Sequence, residues 1–582
     1  MSAASQRGSL TDTGSPGRGT SHPSGEARLR DRGTRWPWIL ALGALFVGAL
    51  IVRLIGLKTG LPYVYNADEN SHFVPRAIGM FGHSLNPDYF INPPAFTYVI
   101  HALFAVRWGT DPASVGGAFG MDPTEAFTIA RGASAFLGAL AVPLTAIAGA
   151  RLFEDRRVGF VAGALLAVAF LPVHYSHFAL NDAPTLAPLA LCLVGVAGIY
   201  RTGRVREYVL AGIALGVAIA TKYTAGIVLV TVIAAAFASP VAHARVRNLA
   251  LAVALMCAGF VAANPYALLD RQTFWEGIRK QTETAGEEGG KLGLANSTGW
   301  TYYLGTFTWG FGWLPSLLAL GGIGGLIARH RRLAIVLAPA PILLLAYLGE
   351  QSRFFARWML PIYPILAILA AWALVALATR LKSKVVLAVA AALVLAQGAV
   401  YSVHNGIVLA RDDTRQVARD WMVEHIPPRT KIVVEPIAPD QWASDPGGFL
   451  RWNKFRTSRS CYFNGQRAFD PPCPVVKLED YERSIVPQRI DAYEEGGYCW
   501  VLIGSTQFGR AYADPDEVPA AIRYYEELAR RGDVVFRVSP YGSDRERVPF
   551  SFDFSFNAYP LAYERPGPEV IIYRLRGGDC AT

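Results

Sequence analysis

The stretch Tyr65-Asn66-Ala67-Asp68-Glu69-Asn70-Ser71-His72 directly follows the first long apolar segment of the chain, residues 36–57. It places two adjacent carboxylates and a histidine at the end of a segment that is long enough to cross a bilayer. Charged groups this close to hydrocarbon are costly, and they commonly mark a functional site. We therefore take this stretch as the point around which the rest of the fold is organised.

The composition indicates a membrane protein. Of 582 residues, 52% are hydrophobic and only 17% are charged, and the apolar residues come in long blocks. A formal net charge of +10 is also typical of nucleic-acid binders, but here Lys and Arg fall between the apolar blocks. This placement predicts contact with membrane lipid and no nucleic-acid partner.

The apolar blocks predict a polytopic α-helical membrane domain over residues 36–405, with about eleven transmembrane helices. Residues 1–35, rich in Ser, Gly, Thr and Arg, are predicted to form a disordered cytoplasmic tail. After 36–57, the predicted spans are 126–152, 158–176, 184–201, 207–221, 224–238, 248–263, 303–328, 333–348, 358–379 and 385–405.

Basic clusters predict the orientation of these spans. Every second connection carries one, and the positive-inside rule then places them all on the cytoplasmic side together with the N-terminus. This requires the short apolar segment 93–106 to lie at the interface rather than to span. The first loop, 58–124, then faces outside. The clusters are Arg151/Arg156/Arg157, Arg201/Arg204/Arg206, Arg245/Arg247, Arg329/Arg331/Arg332 and Arg380/Lys382/Lys384.

The chain changes character after residue 405. Predicted helices at 410–426 and 518–531 alternate with predicted strands at 431–435, 499–504, 534–538 and 570–574. This pattern indicates a small extracytoplasmic α/β domain over 406–582. In an oxidising compartment, Cys461–Cys473 and Cys499–Cys580 are candidate disulfides, with free thiols as the alternative for each pair.

Ionisable residues of both signs gather on the predicted outer face. A carboxylate can take the proton of an acceptor hydroxyl as a general base, while Arg and Lys can hold a phosphate and stabilise its departure. No GxGxxG, P-loop or HExxH pattern competes with this interpretation. The pattern suggests sugar transfer from a phosphorylated lipid at the membrane surface. The residues are Asp68, Glu69, Arg131, Asp182, Lys222, Arg353 and Arg357.

A set of short motifs in a fixed order carries a family resemblance. The motifs are Ala67-Asp68-Glu69, Tyr89-Phe90-Ile91-Asn92-Pro93-Pro94, Ala130-Arg131-Gly132, Leu152-Phe153-Glu154-Asp155-Arg156-Arg157, Leu180-Asn181-Asp182-Ala183-Pro184 and Ala220-Thr221-Lys222-Tyr223. With these motifs, the chain resembles the GT-C membrane glycosyltransferases, in particular the protein O-mannosyltransferase and aminoarabinose transferase group (glycosyltransferase family 39). The resemblance extends over residues 36–240.

The resemblance implies inverting transfer of a sugar from a polyprenyl-phosphate donor to a hydroxyl acceptor at the outer face of the plasma membrane. The acceptor class stays open between protein, lipid and cell-envelope glycan. By this analogy Asp68 is the catalytic base and Asp182 a second acidic site residue, with Glu69 as a weaker catalytic candidate. The candidates for the donor phosphate are Lys222, Arg131, Arg353 and Arg357.

Other polar residues near these motifs are candidate substrate contacts, namely His72, Asn92, Asn181 and Tyr223. Aminoarabinose transferases carry Glu-Lys before the first motif proline, where this chain has Ile91 and Asn92, which argues against a lipid A acceptor. His174 and His177 have a spacing that can bind metal, but no third ligand is evident. We predict no metal-binding residue and no required cofactor, with a divalent metal ion as the alternative.

Two other classes of protein remain open. A transporter or flippase for an anionic or lipid-linked substrate has a similar number of spans, but it typically carries charges near the bilayer midplane and an internal repeat. A non-catalytic anchor for the C-terminal domain would leave the carboxylates at the membrane edge unexplained. The enzyme interpretation requires Asp68 and Asp182 to lie close together.

Overall fold

The computed structural model describes residues 25–285, 292–294, 297–380, 383–456, 481–553 and 559–581. Residues 1–24 of the predicted tail and the predicted pair Cys461–Cys473 lie outside these ranges. The first helix runs from Gly25 to Leu54 and so includes residues 25–35 of the predicted tail.

The N-terminal two thirds of the chain is helical. Every segment that we predicted to span is helical over most of its length. The α-helices are Gly25–Leu54, Val74–Gly79, Ala95–Trp108, Pro112–Met121, Thr124–Phe153, Arg156–Val168, Phe170–Tyr175, Leu186–Thr202, Val205–Thr221, Leu229–Ala238, Arg245–Ala263, Tyr266–Leu269, Arg271–Ala285, Gly299–Phe307, Trp313–Arg329, Arg331–Leu337, Pro339–Gly349, Tyr363–Arg380 and Lys384–Leu409.

Within the described ranges, six helices are long and apolar enough to cross a membrane, or seven if the bent pair Arg331–Leu337 and Pro339–Gly349 counts as one span. The other predicted spans are shorter or broken: Leu186–Thr202 and Val205–Thr221 have 17 residues each. These helices make a multi-pass membrane protein, while the count of about eleven spans stays a prediction.

A buried arginine stabilises one of the broken spans. Helix Arg156–Val168 ends at Ala169, and a new helix starts at Phe170. The Arg53 side chain from the first helix is fully buried there and donates hydrogen bonds to the carbonyls of Leu166 (3.3 Å) and Ala167 (3.1 Å). Because backbone groups inside a membrane need internal partners, Arg53 makes this break tolerable. Asp182 lies in the segment that follows helix Phe170–Tyr175, on the C-terminal side of this break.

Close helix packing positions Lys222. A Cβ atom at Gly212 or Gly216 would lie 2.3 Å or 2.2 Å from a carbonyl oxygen of helix Arg245–Ala263. Glycines therefore allow the backbones of Val205–Thr221 and Arg245–Ala263 to approach, as small residues often do between membrane helices. Lys222 follows the last residue of the packed helix Val205–Thr221, so this contact fixes where its side chain starts.

The C-terminal part contains a five-stranded sheet. Its strands are Lys431–Val434 (β1), Asn453–Arg456 (β2), Trp500–Gly504 (β3), Gly532–Val538 (β4) and Val570–Leu575 (β5), in the order β2-β1-β3-β5-β4. β1 pairs in parallel with β2 and β3, whereas β5 is antiparallel to β3 and β4. The helices are Thr414–His425, Tyr481–Ser484, Gln488–Glu495, Ser505–Ala513 and Pro519–Arg531.

The predicted C-terminal elements agree in position with this sheet and its helices. β2 was not predicted, because its sequence Asn453-Lys454-Phe455-Arg456 lacks the apolar run or alternation of a strand. The domain boundary at residue 406 and the extracytoplasmic location stay predictions.

The predicted pair Cys499–Cys580 forms a disulfide that closes a separation of 81 residues. We expect the double substitution Cys499→Ser/Cys580→Ser to lower the unfolding free energy of the C-terminal part by about 2–5 kcal/mol, because the cross-link restricts the unfolded chain. Denaturation of the full chain, followed by proteolysis of its C-terminal part, measures this change. Cys257→Ser, which removes an exposed free thiol, is the control. Equal stability of the two variants would contradict the prediction.

The C-terminal part rests on the loop that carries Asp68. The Arg415 guanidinium lies 3.7 Å from the ring centroid of Tyr65, and Arg419 lies 5.0 Å from that of Tyr63. On the other side, the Tyr302 hydroxyl donates a 2.8 Å hydrogen bond to Asp553. Helix Thr414–His425 and Asp553 of the C-terminal part therefore contact the first loop and helix Gly299–Phe307.

Candidate active site

The Asp68-Glu69 pair lies in a short, capped turn. The Asn66 side-chain oxygen accepts hydrogen bonds from the backbone N–H groups of Asp68 and Glu69, each at 3.1 Å. A wide helical turn, Glu69–Phe73, starts there. Because successive residues of a helical turn point in different directions, the two adjacent carboxylates diverge and have different partners.

Glu69 points inward and forms a buried ion pair with Arg131. Its oxygens accept from Arg131 Nε (2.6 Å) and Nη2 (2.8 Å), and the Ala179 N–H donates a third bond (2.9 Å). Arg131 Nη1 donates to the carbonyls of Leu57 and Thr59. Both side chains are at most 1% exposed. This geometry suits a pair that ties the first loop to helix Thr124–Phe153 and to the segment after helix Phe170–Tyr175, and every nitrogen of the guanidinium is already used.

Asp68 points the other way, into a cluster of alternating charges. Its side chain is 39% exposed and accepts a 2.6 Å hydrogen bond from Arg357 Nη2. Arg357 Nε lies 3.8 Å from an Asp182 oxygen, and the second Asp182 oxygen accepts from Lys222 Nζ at 2.5 Å. The structure therefore brings Asp68, Arg357, Asp182 and Lys222 together from four separate parts of the chain.

The members of this cluster differ in how accessible they are. Asp182 and Lys222 are 3% and 9% exposed, and Arg357 is 15% exposed, so Asp68 is the member that reaches solvent. Asp68 is therefore the carboxylate of the cluster that an incoming hydroxyl can reach, and Arg357 holds it in position. Arg353 lies beside the cluster, with its guanidinium 5.4 Å from the ring centroid of Phe355, on which Arg357 also packs at 4.3 Å.

His72 and Asn92 meet at a tyrosine. The His72 ring stacks on Tyr89 with 4.8 Å between centroids, and Asn92 Nδ2 donates to the Tyr89 hydroxyl at 3.0 Å. His72 Nε2 is also 3.9 Å from Asp68. Burial lowers the pKa of His72, although the Asp68 carboxylate opposes this shift, so the ring is neutral near pH 7. A neutral imidazole beside the candidate base can donate or accept a hydrogen bond with a substrate hydroxyl.

Asn181 and Tyr223 join the segments that carry the cluster. Asn181 Nδ2 donates to the Thr221 carbonyl at 2.7 Å, which links the Asp182 turn to the residue before Lys222. The Tyr223 hydroxyl donates to the Phe90 carbonyl at 3.0 Å, which links the same helix end to the first loop. In this structure, both predicted substrate contacts therefore serve as links between elements.

Two aromatic residues of the site escaped the sequence-based prediction. Tyr89 stacks with His72 and also lies 4.1 Å from the Arg76 guanidinium, measured to the ring centroid. Its position three residues before Asn92, inside a matched motif, could have identified it. Tyr175 is buried, with its ring centroid 5.9 Å from Arg357, and nothing in the sequence marks it apart from its neighbours in an apolar segment.

His174 and His177, whose spacing could suit metal ligands, lie within hydrogen-bond distance of polar groups in other segments of the chain. His177 Nε2 lies 2.9 Å from the carbonyl of Ile55, and His174 Nδ1 lies 3.1 Å from Asn405. Across the part of the chain that the structure describes, no three His, Cys, Asp or Glu side chains are grouped as metal ligands. The partners of Asp68 and Asp182 are the cationic side chains of Arg357 and Lys222.

Comparison with known proteins gives a partial family match and a similar fold. A family model described as dolichyl-phosphate-mannose-protein mannosyltransferase matches residues 115–259, about a quarter of the chain. The oligosaccharyltransferase of Archaeoglobus fulgidus, in its apo form, is 13% identical and covers 87% of this chain and 74% of its own, with a TM-score of 0.50. The chain matches no curated protein.

Two other crystal or cryo-EM structures align with lower scores. ArnT from Cupriavidus metallidurans, bound to undecaprenyl phosphate, is 17% identical over 92% of this chain and 98% of its own, with a TM-score of 0.46. The mycobacterial arabinofuranosyltransferase AftD is 13% identical over 92% of this chain and 40% of its own, with a TM-score of 0.40. Of these three structures, the archaeal oligosaccharyltransferase has the highest TM-score, and its likeness to this chain shows a shared fold.

The partial family match and the shared fold confirm the predicted resemblance to the GT-C membrane glycosyltransferases. Within this class, the matched model belongs to the protein O-mannosyltransferase group that the sequence motifs resemble. The match covers Arg131, Asp182 and Lys222, but it ends before Arg357.

Proposed function

We propose that this protein transfers a sugar, with inversion, from a polyprenyl-phosphate donor to a hydroxyl acceptor at the outer face of the plasma membrane. The observation that carries the proposal is the charge cluster in which Arg357 contacts both Asp68 and Asp182 while Lys222 contacts Asp182. The matched family model is named for a sugar donor of this kind. The acceptor is a protein, a lipid or a cell-envelope glycan.

In the proposed reaction, the acceptor oxygen attacks the anomeric carbon of the donor as its proton passes to Asp68. The bond between that carbon and the phosphate oxygen breaks, and polyprenyl phosphate leaves. Lys222 and Arg357 stabilise the charge on the leaving phosphate, with Arg353 beside them. Attack on the side opposite to the leaving group inverts the anomeric configuration. Asp182 holds the two cations in place, and Glu69 and Arg131 position the loop.

An apolar cavity beside the cluster supports a lipid donor. It has a volume of about 710 Å³ and lies against the helix Ala95–Trp108. Pro184 and Thr221 are among its lining residues; Pro184 lies two positions after Asp182, and Thr221 directly precedes Lys222. A polyprenyl chain in this cavity would leave its phosphate at the cationic side chains. Its other walls include Tyr98, Leu144, Leu191 and Val217.

We propose the membrane arrangement that the positions of the basic clusters predict. The membrane domain comprises residues 36–405 with about eleven spans, and the C-terminal domain comprises 406–582. The N-terminus is cytoplasmic, and the first loop and C-terminal domain are extracytoplasmic. The proposed reaction needs no metal ion, because Lys222 and Arg357 supply the positive charge, and a divalent ion that assists the donor phosphate is the alternative.

The direct test incubates membranes that contain the protein with a panel of polyprenyl-phosphate sugars labelled in the sugar. We expect label to move to an acceptor and unlabelled polyprenyl phosphate to appear in equal amount. Movement of intact labelled donor across the membrane, without cleavage, would instead support a flippase and overturn the proposal.

Removal of the Lys222 charge should weaken donor binding. Lys222→Met keeps the length of the side chain, and we expect the KM for the donor to rise about 10- to 100-fold, since hydrogen bonds to charged groups contribute about 1.5–3 kcal/mol. Steady-state transfer at varied donor concentration measures this change. Lys58→Met, an exposed lysine of the first loop, should leave the KM unchanged. A similar KM in both variants would exclude Lys222 from phosphate binding.

A further inference from the structure

The C-terminal part contains a polar cavity whose lining does not include the residues of the charge cluster. Its volume is about 190 Å³, the space of roughly six water molecules at about 30 Å³ each, which is close to that of one sugar ring. It lies at the start of helix Ser505–Ala513 and of β5. Aromatic rings form much of its wall, and polar side chains form the rest. The aromatic residues are Phe508, Tyr541, Phe550, Tyr559 and Tyr563.

The aromatic wall is built around Tyr563. Its ring lies 4.9 Å from that of Tyr541 in an edge-to-face arrangement and 6.0 Å from that of Tyr559. A backbone bridge between Tyr541 and Tyr563 holds the first pair. Ring pairs of this kind present rigid faces with little rotamer freedom to lose on binding.

The polar wall carries a hydrogen-bonding pair with no net charge. Glu569 is 7% exposed and accepts from Arg547 at 2.9 and 3.1 Å, while the exposed Arg547 side chain connects the cavity with the surface. Arg415, which also lines the cavity, is paired with Asp413. Since both guanidinium groups have carboxylate partners, the cavity does not select a phosphate. It offers donors and acceptors beside aromatic faces, which suits a neutral polyhydroxylated ligand.

The cavity adjoins the candidate active site through two contacts. Arg415 packs on Tyr65, three residues before Asp68. The Tyr559 ring lies 6.0 Å from His174, whose neighbour Tyr175 packs against Arg357. A chain of sugars that occupied the cavity would therefore lie beside the loop that carries the proposed base.

We propose that this cavity binds a sugar residue of the acceptor, so that the acceptor is a glycan or glycoconjugate rather than an unmodified peptide. The inference rests on the proposed sugar transfer, and it selects one acceptor class among those left open. The bound residue would lie against Tyr563 and Tyr559, with its hydroxyls on Arg547 and Glu569.

The binding test uses the full-length Asp68→Asn protein in nanodiscs, which keeps binding separate from turnover. Saturation-transfer NMR is recorded with neutral oligosaccharides: mannotriose, α-1,5-linked arabinofuranose pentaose and maltotriose. We expect at least one to bind, and Arg547→Ala to weaken that binding about 10-fold, which corresponds to about 1.4 kcal/mol. Arg537→Ala is the matched control, because Arg537 is also about half exposed and approaches Glu569 at 3.5 Å but does not line the cavity.

Absence of binding by all three oligosaccharides, or equal binding by the Arg547 and Arg537 variants, would overturn the inference. In the active protein, Arg547→Ala should raise the KM for the acceptor glycan about 10-fold while the donor KM stays unchanged. Oligosaccharide binding without any sugar transfer would contradict the proposed function and leave the cavity assignment standing. Transfer that is indifferent to Arg547 would contradict the cavity assignment alone.

Discussion

We expect substitution of Asp68 by Asn to lower the rate of sugar transfer by about 10²- to 10⁴-fold, the usual contribution of a general base. The amide cannot take the proton of the acceptor hydroxyl, and it has nearly the same shape as the carboxylate. Its oxygen can still accept the hydrogen bond that Arg357 donates at 2.6 Å. The donor KM should therefore change much less than kcat, because Lys222 and Arg357 both remain in place.

The measurement compares initial rates of label transfer at saturating donor, normalised to the amount of folded protein in the membrane. Asp88→Asn is the matched control, since it makes the same change at another residue of the first loop. We expect the control to retain the wild-type rate. A wild-type rate for Asp68→Asn would remove Asp68 as the base. A rise in the donor KM alone, with an unchanged kcat, would instead give Asp68 a binding role through Arg357.

The sequence indicates which charged residues belong to the cluster, but it does not show which of them pair. Asp68, Asp182, Lys222 and Arg357 are marked by charge beside apolar segments, because such placement is costly and seldom accidental. Their pairing depends on distances between segments that lie far apart in the chain, such as the 289 positions between Asp68 and Arg357. No local pattern encodes those distances.

Local sequence also does not show which charged side chains are buried against one another. Arg131 looked like a phosphate ligand from its place near the start of a span, and Glu69 looked like a partner of Asp68. In the structure, both face the protein interior and satisfy each other. Arg53 was read as part of an apolar run, although it holds the carbonyls of a broken helix. In each case, a segment distant in the chain supplies the partner, and the local sequence does not show it.

The strands of the C-terminal sheet were easier to predict than the function of that part of the chain. β1, β3 and β5 are apolar runs that are buried in the sheet, so their pattern is local. The cavity that we assign to the acceptor combines Arg415 with residues 505–569. Apart from Phe508 in helix Ser505–Ala513, its aromatic residues lie on irregular segments, where no periodicity distinguishes a wall of a cavity from a loop.

Substitution of Arg131 by Met should be the most destabilising single change considered for this chain. It leaves the Glu69 carboxylate fully buried with one remaining hydrogen bond, from Ala179. Loss of one partner from a buried ion pair lowers stability by about 3–5 kcal/mol. Arg131→Lys should also be destabilising, because an ammonium group cannot reproduce the two-pronged contact with Glu69 or reach the Leu57 and Thr59 carbonyls together.

Thermal unfolding of the protein in nanodiscs measures this loss, and the surface pair Arg107–Glu125 provides the matched control. That pair is as short, at 2.7 Å, but its side chains are 54% and 50% exposed, so Arg107→Met should change stability by less than about 1 kcal/mol. The double substitution Glu69→Gln/Arg131→Met removes both charges and should recover part of the loss. If Arg131→Met unfolded no more readily than Arg107→Met but bound the polyprenyl-phosphate donor more weakly, Arg131 would be a phosphate ligand, and the buried pair would have to open during the reaction.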